Sequence, residues 1–288
     1  MRAQGVLSGP TTVRPTDHAC WVYDDDDGFA TAAREHLTEG LARGERLLCV
    51  GDAQALEQLR RAVGPAAGID GHVERTALQF LPLSGAYPAT GRLEPAGQLD
   101  FYEQATRQAL AEGFRGLSVI AELTPLAADA RNSGDLVRWE HLADDFMASG
   151  AGMSALCAYR RGRLPDAVLA DVACVHPLVH AGPAETSFRV FFDGNGLAVA
   201  GILDAFGADR LSRVLATSPV RGPAVRLDLS RVEFMDAAGC RAIAAWVYGI
   251  EQRPAQVTVA GASRMVRRTW RLLGFAEATS ASFEDTGS

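Results

Sequence analysis

Residues 227–240, which read LDLSRVEFMDAAGC, decide the fold of the C-terminal part of the chain. The opening residues have the alternating character of a strand, which delivers Asp228. A short loop is then expected to pack Val232 and Phe234 under the sheet. Asp236 stands before an apolar segment of helical period, where an aspartate accepts hydrogen bonds from the free N–H groups of the first turn. The stretch therefore predicts a strand, a loop and a helix in succession.

The surrounding sequence predicts a small α/β domain built on this stretch. Two short apolar segments flank Gly194-Asn195-Gly196, which is a hairpin signal. The predicted strands are 188–193, 197–201, 224–229 and 256–260, and the predicted helices are 204–215, 237–250 and 263–273. We therefore expect a small polar linker at 181–187, a domain at 188–278 and a tail at 279–288.

Three segments of this domain resemble STAS domains, the family of anti-sigma-factor antagonists: 201–204 (GILD), 228–239 (DLSRVEFMDAAG) and 257–261 (VTVAG). The resemblance implies four or five strands with helices on one face. It also implies docking onto an anti-sigma factor of the ATPase or kinase type, or a similar regulatory protein. The residues implied for docking and switching are Asp204, Asp236, Ala237, Ala238 and Gly239.

The sequence departs from the switching members of that family directly after Asp236. In those members a serine at this position is phosphorylated, and the added charge and bulk break the complex. Here Ala237 and Ala238 carry no hydroxyl group. Two interpretations follow. The domain is a permanently unphosphorylated binder whose availability the N-terminal domain sets, or it is a scaffold or dimerisation module.

The N-terminal part alternates apolar strands with amphipathic helices, which is typical of a mostly parallel sheet with helices on both faces. The predicted strands are 19–23, 47–50, 117–121 and 153–159, and the predicted helices are 28–43, 53–63, 98–112 and 135–149. Ligands of such sheets bind beyond the carboxyl ends of the strands. Those ends carry Tyr23 with the Asp24–Asp27 run, Asp52, Glu122, and Tyr159 with Arg160.

Short motifs in the same region are similar to MEDS, a sensory domain of methanogens and methylotrophs. They include 18–20 (HAC), 113–116 (GFRG), 121–123 (AEL), 156–159 (LCAY) and 176–177 (HP). The resemblance implies a degenerate RecA-like fold that senses small organic molecules. We therefore expect the sensor domain at 18–180, after a flexible lead-in at 1–17 that is polar and carries Pro10 and Pro15.

Nine residues are candidates for ligand sensing: His18, Cys20, Tyr23, Asp24, Glu122, Glu140, Cys157, Tyr159 and His176. Glu122 follows a buried strand, so it is either a site carboxylate or the partner of an arginine. His18-Ala-Cys20 could belong to a zinc site only if Cys157 and His176 completed it, and structural zinc sites normally close at shorter, recognised spacings. We therefore expect no metal and no cofactor.

Composition narrows the classes of function. The formal net charge is -7, and no basic stripe occurs, so we expect no nucleic-acid partner. The chain contains no lysine, which removes the cation of a phosphate-binding P-loop and argues against an enzyme. The five cysteines are scattered and form no CxxC motif, which favours a cytoplasmic protein. No apolar run approaches the ~18–20 residues that span a bilayer, so we expect no membrane association.

These patterns predict a cytoplasmic signalling protein that regulates transcription, in which a sensor domain controls a STAS-type binding domain. Two alternatives stay open: a nucleotide- or metal-binding enzyme of RecA-like fold, and a passive scaffold or homodimerisation protein. The sequence names neither the ligand nor the partner.

Overall fold

The computed structural model describes residues 2–9, 13–63, 77–87, 92–180, 187–194 and 196–284. Its N-terminal part is a seven-stranded sheet of order β1-β7-β2-β6-β5-β3-β4, in which every neighbouring pair is parallel. The strands are β1 (Gly5–Val6), β2 (His18–Tyr23), β3 (Arg46–Gly51), β4 (Leu78–Pro82), β5 (Leu117–Glu122), β6 (Met153–Arg160) and β7 (Leu178–His180).

Helices cover both faces of this sheet. They are α1 (Asp26–Ala42), α2 (Ala53–Val63), α3 (Leu83–Ala86), α4 (Pro95–Ala111), α5 (Thr124–Ala128), α6 (Ser133–Ala148) and α7 (Asp166–Ala173). Phe29 of α1 and Leu59 of α2 belong to the core on one face. Tyr102 of α4, Trp139 of α6 and Leu169 of α7 belong to the core on the other. The predicted parallel α/β architecture is confirmed.

The C-terminal part is a five-stranded mixed sheet of order β12-β11-β10-β9-β8. The hairpin pair β8–β9 is antiparallel and the other pairs are parallel. Its strands are β8 (Phe188–Asp193), β9 (Gly196–Leu203), β10 (Ala224–Met235), β11 (Gln256–Ala260) and β12 (Ser282–Phe283), and its helices are α8 (Ala208–Thr217), α9 (Ala237–Glu251), α10 (Arg264–Leu272) and α11 (Phe275–Ala278). Leu211, Ile243 and Val266 of three helices share one core with this sheet, as a STAS-like fold requires.

The prediction of a loop that packs Val232 and Phe234 under the sheet is wrong. Strand β10 continues to Met235, and its register against β9 shifts after Asp228 and again after Val232. Each shift adds a residue to β10, and such bulges change the face on which the following side chains lie. Val232 is therefore only partly buried, and Phe234 is 54% exposed.

Both of the expected terminal segments, 1–17 and 279–288, contain a short strand. In the expected lead-in, β1 pairs with β7 and Leu7 is buried. In the expected tail, β12 pairs with β11. Two-residue strands give no periodic signal, because alternation needs about four residues to become visible. Of the expected linker 181–187, only Ser187 lies within the described residues.

The two domains share packing and hydrogen bonds. Val137 of α6 and Val175 belong to the same buried core as Phe188 of β8. The backbone N–H of Val190 donates to the carbonyl of Cys174 at 2.7 Å. Buried apolar contact combined with backbone bonding joins the domains more tightly than a polar interface does.

Candidate functional site

Four side chains with metal-ligating or titratable atoms meet inside the N-terminal domain. His18 begins β2, Glu140 lies on α6, Cys157 lies in β6, and His176 follows α7. One donor atom from each lies within 4.8 Å of all the others. Tyr159, two residues along β6 from Cys157, faces the same group and donates from its hydroxyl to Glu140 Oε1 at 2.5 Å. We call these five residues the buried cluster.

Glu140 lies at the centre of the buried cluster. Its Oε2 atom is 3.2 Å from His18 Nε2, 3.4 Å from His176 Nε2 and 3.6 Å from Cys157 Sγ. Burial acts to raise the pKa of Glu140, but the adjacent His176 and His18 outweigh it and hold this pKa well below its usual range. Glu140 is therefore an ionised carboxylate in the protein interior, where such a charge needs a positive partner.

The pKa values of the other titratable side chains in the cluster are also shifted, by burial and by neighbouring charges that include Glu140. Burial lowers the pKa of His18, but Asp144 and Glu140 more than compensate and raise it. Burial and the neighbouring His18 lower the pKa of His176. Burial, followed by the Glu140 carboxylate, raises the pKa of the Cys157 thiol.

The sequence paired His18 with Cys20, but the structure gives Cys20 a different place. Cys20 is buried opposite Cys157 in the β2–β6 register and is not among the four grouped donors. Glu140 takes part instead, because α6 crosses that face of the sheet. The sequence reasoning missed Asp144, which stands four residues after Glu140 on the same helix face. That spacing was the available signal.

Asp144 connects the buried cluster with the C-terminal sheet. Its Oδ1 atom is 3.4 Å from His18 Nδ1 and accepts a hydrogen bond from Arg2 NH1 at 2.5 Å. Its Oδ2 atom accepts a hydrogen bond from the backbone N–H of Phe192 in β8 at 2.6 Å. Arg2 also donates to the carbonyl of Phe192 at 3.1 Å. One carboxylate therefore touches both the cluster and the edge strand of the neighbouring domain.

A separate cavity of about 310 Å³ lies at the carboxyl end of the N-terminal sheet. Tyr23, Asp52, Glu122 and Arg160 line it, from the ends of four neighbouring strands. The Tyr23 hydroxyl donates to Glu122 Oε1 at 3.1 Å. Burial raises the pKa of Glu122 despite its hydrogen bonds to Thr124 and Tyr23. The cavity therefore offers a carboxylate and a guanidinium group to a small polar ligand.

Asp24 does not line this cavity, since its carboxylate pairs with Arg161 at 2.9 Å. The acidic run that Asp24 opens caps the following helix instead. Asp25 accepts a hydrogen bond from the backbone N–H of Gly28 at 2.7 Å, and Asp26 and Asp27 form the first turn of α1. Acidic groups there stabilise a helix through its dipole.

The start of α9 forms a third candidate site, in the C-terminal domain. Asp236 caps α9 by accepting from the N–H groups of Ala238 at 2.7 Å and Gly239 at 3.0 Å. Asp204 holds the adjacent turn through the N–H groups of Phe206 and Gly207. A Cβ atom at Gly239 would lie 2.6 Å from the carbonyl oxygen of Leu203, so only glycine lets α9 approach β9 this closely.

Apolar side chains are exposed next to this helix start. Phe206 is 98% exposed, Phe234 is 54% exposed and Ile202 is 39% exposed. Phe234 and Ile202 are register partners on β10 and β9. Together with Ala237 they form what we call the docking surface. Large exposed apolar groups that lie close together mark interaction sites.

Cys240 lies one turn into α9. It is fully buried, and burial followed by Asp236 raises the pKa of its thiol to about 11. A thiol with such a pKa stays protonated and packs as a small apolar group.

Comparison with known proteins gives two domain matches. The family model described as "MEDS: MEthanogen/methylotroph, DcmR Sensory domain" matches residues 17–177. The model described as "Mlab, STAS domain" matches residues 189–280. A search of curated proteins finds no match to the chain. Within the described ranges, no helix has the length and apolar character needed to cross a membrane.

Proposed function

Because the chain belongs to the MEDS sensory-domain family and continues into a STAS domain, we propose that its N-terminal domain controls how its C-terminal domain binds a partner. The two domains together make it a regulatory signalling protein of the anti-sigma-factor-antagonist type. The partner in this proposal is an anti-sigma factor of the ATPase or kinase type, met in the cytoplasm. The protein does not catalyse a reaction in this account.

The observation that carries the proposal is the position of Asp144. This carboxylate contacts His18 of the sensor and the backbone N–H of Phe192 in the STAS domain, at 3.4 and 2.6 Å. A change that draws the imidazole of His18 toward or away from Asp144 alters the hydrogen bond on β8. Since β8 pairs with β9, whose end carries Ile202, the sheet provides a continuous physical route to the docking surface.

Ala237 supports control by the sensor rather than by a kinase. The Asp236 cap is intact, yet neither Ala237 nor Ala238 can accept a phosphate. Availability of the docking surface then has to depend on another input. In the proposal this input is a small polar molecule in the cavity that Tyr23, Glu122 and Arg160 line, or an ion in the buried cluster.

The start of α1 supports a role without nucleotide hydrolysis. A nucleotide-binding loop needs N–H donors and a lysine at this place in the fold. Here the Asp25 carboxylate accepts from the N–H group of Gly28 in the first turn of α1, Asp26 and Asp27 add negative charge, and the chain has no lysine.

The experiment is affinity capture from a lysate of the host organism, with full-length wild type beside Ala237→Asp and Ala245→Asp as the matched change at an exposed alanine elsewhere on α9. We expect mass spectrometry to identify a kinase-type anti-sigma factor with wild type and Ala245→Asp, and to lose it with Ala237→Asp. Equal capture by all three proteins would contradict the docking surface. Capture of no such factor would favour the scaffold alternative.

A further inference from the structure

Four of the six distances between the donor atoms of His18, Glu140, Cys157 and His176 are close to those of a tetrahedral metal site, and all six are within 4.8 Å. Zinc binds nitrogen, oxygen and sulfur ligands at about 2.0–2.3 Å, so neighbouring ligand atoms of its tetrahedron lie about 3.3–3.7 Å apart. The distances from Glu140 Oε2 to His18 Nε2, His176 Nε2 and Cys157 Sγ are 3.2, 3.4 and 3.6 Å. The distance from Cys157 Sγ to His18 Nε2 is 3.5 Å.

The hydrogen bonding of His176 leaves its other ring nitrogen as a ligand. His176 Nδ1 lies 2.8 Å from the carbonyl oxygen of Val172, and a carbonyl only accepts, so Nδ1 carries the proton. Nε2 of the neutral ring then presents a lone pair to the Glu140 carboxylate and has no hydrogen-bond partner among the described residues. With Nε2 unprotonated, two acceptors face each other at 3.4 Å, and either a proton on Nε2 or a metal ion between them relieves the repulsion.

His18 also directs one ring nitrogen into the cluster and the other toward an oxygen outside it, although here the inner nitrogen is the one that makes the hydrogen bond. Its Nδ1 atom faces the Asp144 carboxylate at 3.4 Å, and its Nε2 atom faces Glu140 and Cys157. Ligating histidines in proteins commonly direct the second ring nitrogen to a carboxylate or a backbone carbonyl, which fixes the tautomer. His176 Nδ1 has a backbone carbonyl as this partner, and His18 Nδ1 lies 3.4 Å from the Asp144 carboxylate without a hydrogen bond.

Charge balance favours a divalent ion with a preference for nitrogen and sulfur. The Glu140 carboxylate and a Cys157 thiolate together carry two negative charges, and two neutral imidazoles add none. A dication would bring the site to neutrality inside a core where an uncompensated charge is costly. Mixed imidazole, thiolate and carboxylate donors in a tetrahedron suit Zn²⁺ rather than Mg²⁺ or Ca²⁺.

We propose that His18, Glu140, Cys157 and His176 bind one Zn²⁺ ion through Nε2, Oε2, Sγ and Nε2. On binding, a Zn–S bond forms, the S–H bond of Cys157 breaks and its proton leaves to solvent. Tyr159 holds the second carboxylate oxygen of Glu140, and Asp144 orients His18 from behind. The site does not depend on the function proposed above, because it is measured on the purified chain without a partner.

The test is reconstitution of the purified full-length protein with Zn²⁺ after removal of bound metal. Elemental analysis following exchange into metal-free buffer is expected to find about one zinc per chain. Co²⁺ in place of Zn²⁺ should give the visible bands of a tetrahedral ion and a thiolate-to-metal charge-transfer band. Cys157→Ser is expected to abolish the charge-transfer band, and His176→Gln to lose most of the zinc.

Matched variants distinguish the loss of a metal ligand from the general effect of changing a buried residue. Cys49→Ser and His36→Gln change a buried cysteine and a buried histidine on the opposite face of the same sheet, outside the cluster. Both should keep about one zinc per chain. Asp144→Asn should weaken zinc affinity by about 10–100-fold, as loss of an orienting partner does. Folded wild type that retains less than about a tenth of an equivalent of zinc and shows no tetrahedral Co²⁺ spectrum would overturn the proposal, whatever the variants do.

Discussion

Asp144→Ala removes one of the groups that join the two domains, and its cost in unfolding free energy can be worked out from the contacts of Asp144. The Asp144 carboxylate is fully buried and pairs with Arg2, whose side chain is 7% exposed. Removal of one partner of a buried ion pair costs about 3–5 kcal/mol, because the other charge stays buried. The freed N–H of Phe192 adds about 1 kcal/mol. The expected loss of unfolding free energy is therefore about 4–6 kcal/mol.

This loss of unfolding free energy corresponds to a measurable decrease in the melting temperature, Tm. An unfolding entropy of about 2.1 cal/mol/K per residue gives about 0.6 kcal/mol/K for 288 residues. Asp144→Ala should therefore lower Tm by about 7–10 °C in calorimetry. The matched control is Asp145→Ala, since Asp145 is the neighbouring carboxylate on α6 and is exposed. It should shift Tm by no more than about 1 °C.

A double-mutant cycle isolates the Arg2–Asp144 pair from other effects of the change. In an Arg2→Ala background no guanidinium is left without a partner, so Asp144→Ala should cost about 1–3 kcal/mol. Urea unfolding followed by circular dichroism measures each arm of the cycle. An equal cost of Asp144→Ala in both backgrounds, or a Tm within about 2 °C of wild type, would show that the Arg2–Asp144 pair does not stabilise the protein in this way.

Three further changes test separate parts of the structure. Burial lowers the pKa of His36 from 6.5 to about 4, so the unfolded chain binds the proton first as pH falls. The free energy of unfolding should therefore drop by up to about 3 kcal/mol between pH 6.5 and 4. Urea titrations at a series of pH values should show a smaller drop in His36→Gln. Gly201 has a φ of +95°, and an added Cβ would lie 2.4 Å from the carbonyl oxygen of Ser187. Gly201→Ala should therefore lower the free energy of unfolding in urea by about 1–3 kcal/mol. The control Gly249→Ala has no atom within 4 Å of its new Cβ and should not lower it. Phe206 is 98% exposed, so Phe206→Ala should leave Tm unchanged but weaken binding of the captured partner about tenfold in calorimetric titration; unchanged affinity would remove Phe206 from the docking surface.

The buried strands of the N-terminal sheet could be predicted from the sequence almost to the residue. Strands β2, β3, β5 and β6 are covered on both faces, so they appear as continuous apolar runs bounded by turns. Strand β4 gives no such run, because as an edge strand its residues Leu78–Pro82 alternate between partial burial and exposure. Strand β7 has only three residues. Elements of these kinds are defined by their neighbours rather than by their own sequence.

The candidate site could be predicted in its members but not in its grouping. The zinc hypothesis from the sequence groups His18 and Cys20 with Cys157 and His176 and leaves Glu140 outside that group. Their meeting depends on how α6 crosses the sheet, which no local pattern encodes. Asp144 was missed because its partners, Arg2 and Phe192, lie far away along the chain.

In the C-terminal motif, the start of the helix could be predicted from the sequence, but the exposure of Phe234 could not. Helix α9 begins at Ala237 with Asp236 as its cap, as predicted, since capping is a local property. The exposed position of Phe234 was not predictable, because two register shifts in β10 decide it. The residue expected in the core is thereby available to a partner.

Control of the docking surface by the sensor domain is the central element of the proposed function. The decisive measurement is calorimetric titration of the captured anti-sigma factor into full-length wild type and into Asp144→Asn, which keeps the shape of the side chain and removes its charge. Asp144 lies outside the docking surface, yet we predict that the affinity of the two proteins differs by at least about fivefold, the lower end of typical coupling between sites. Equal affinities, with Asp144→Asn shown to be folded, would contradict the account.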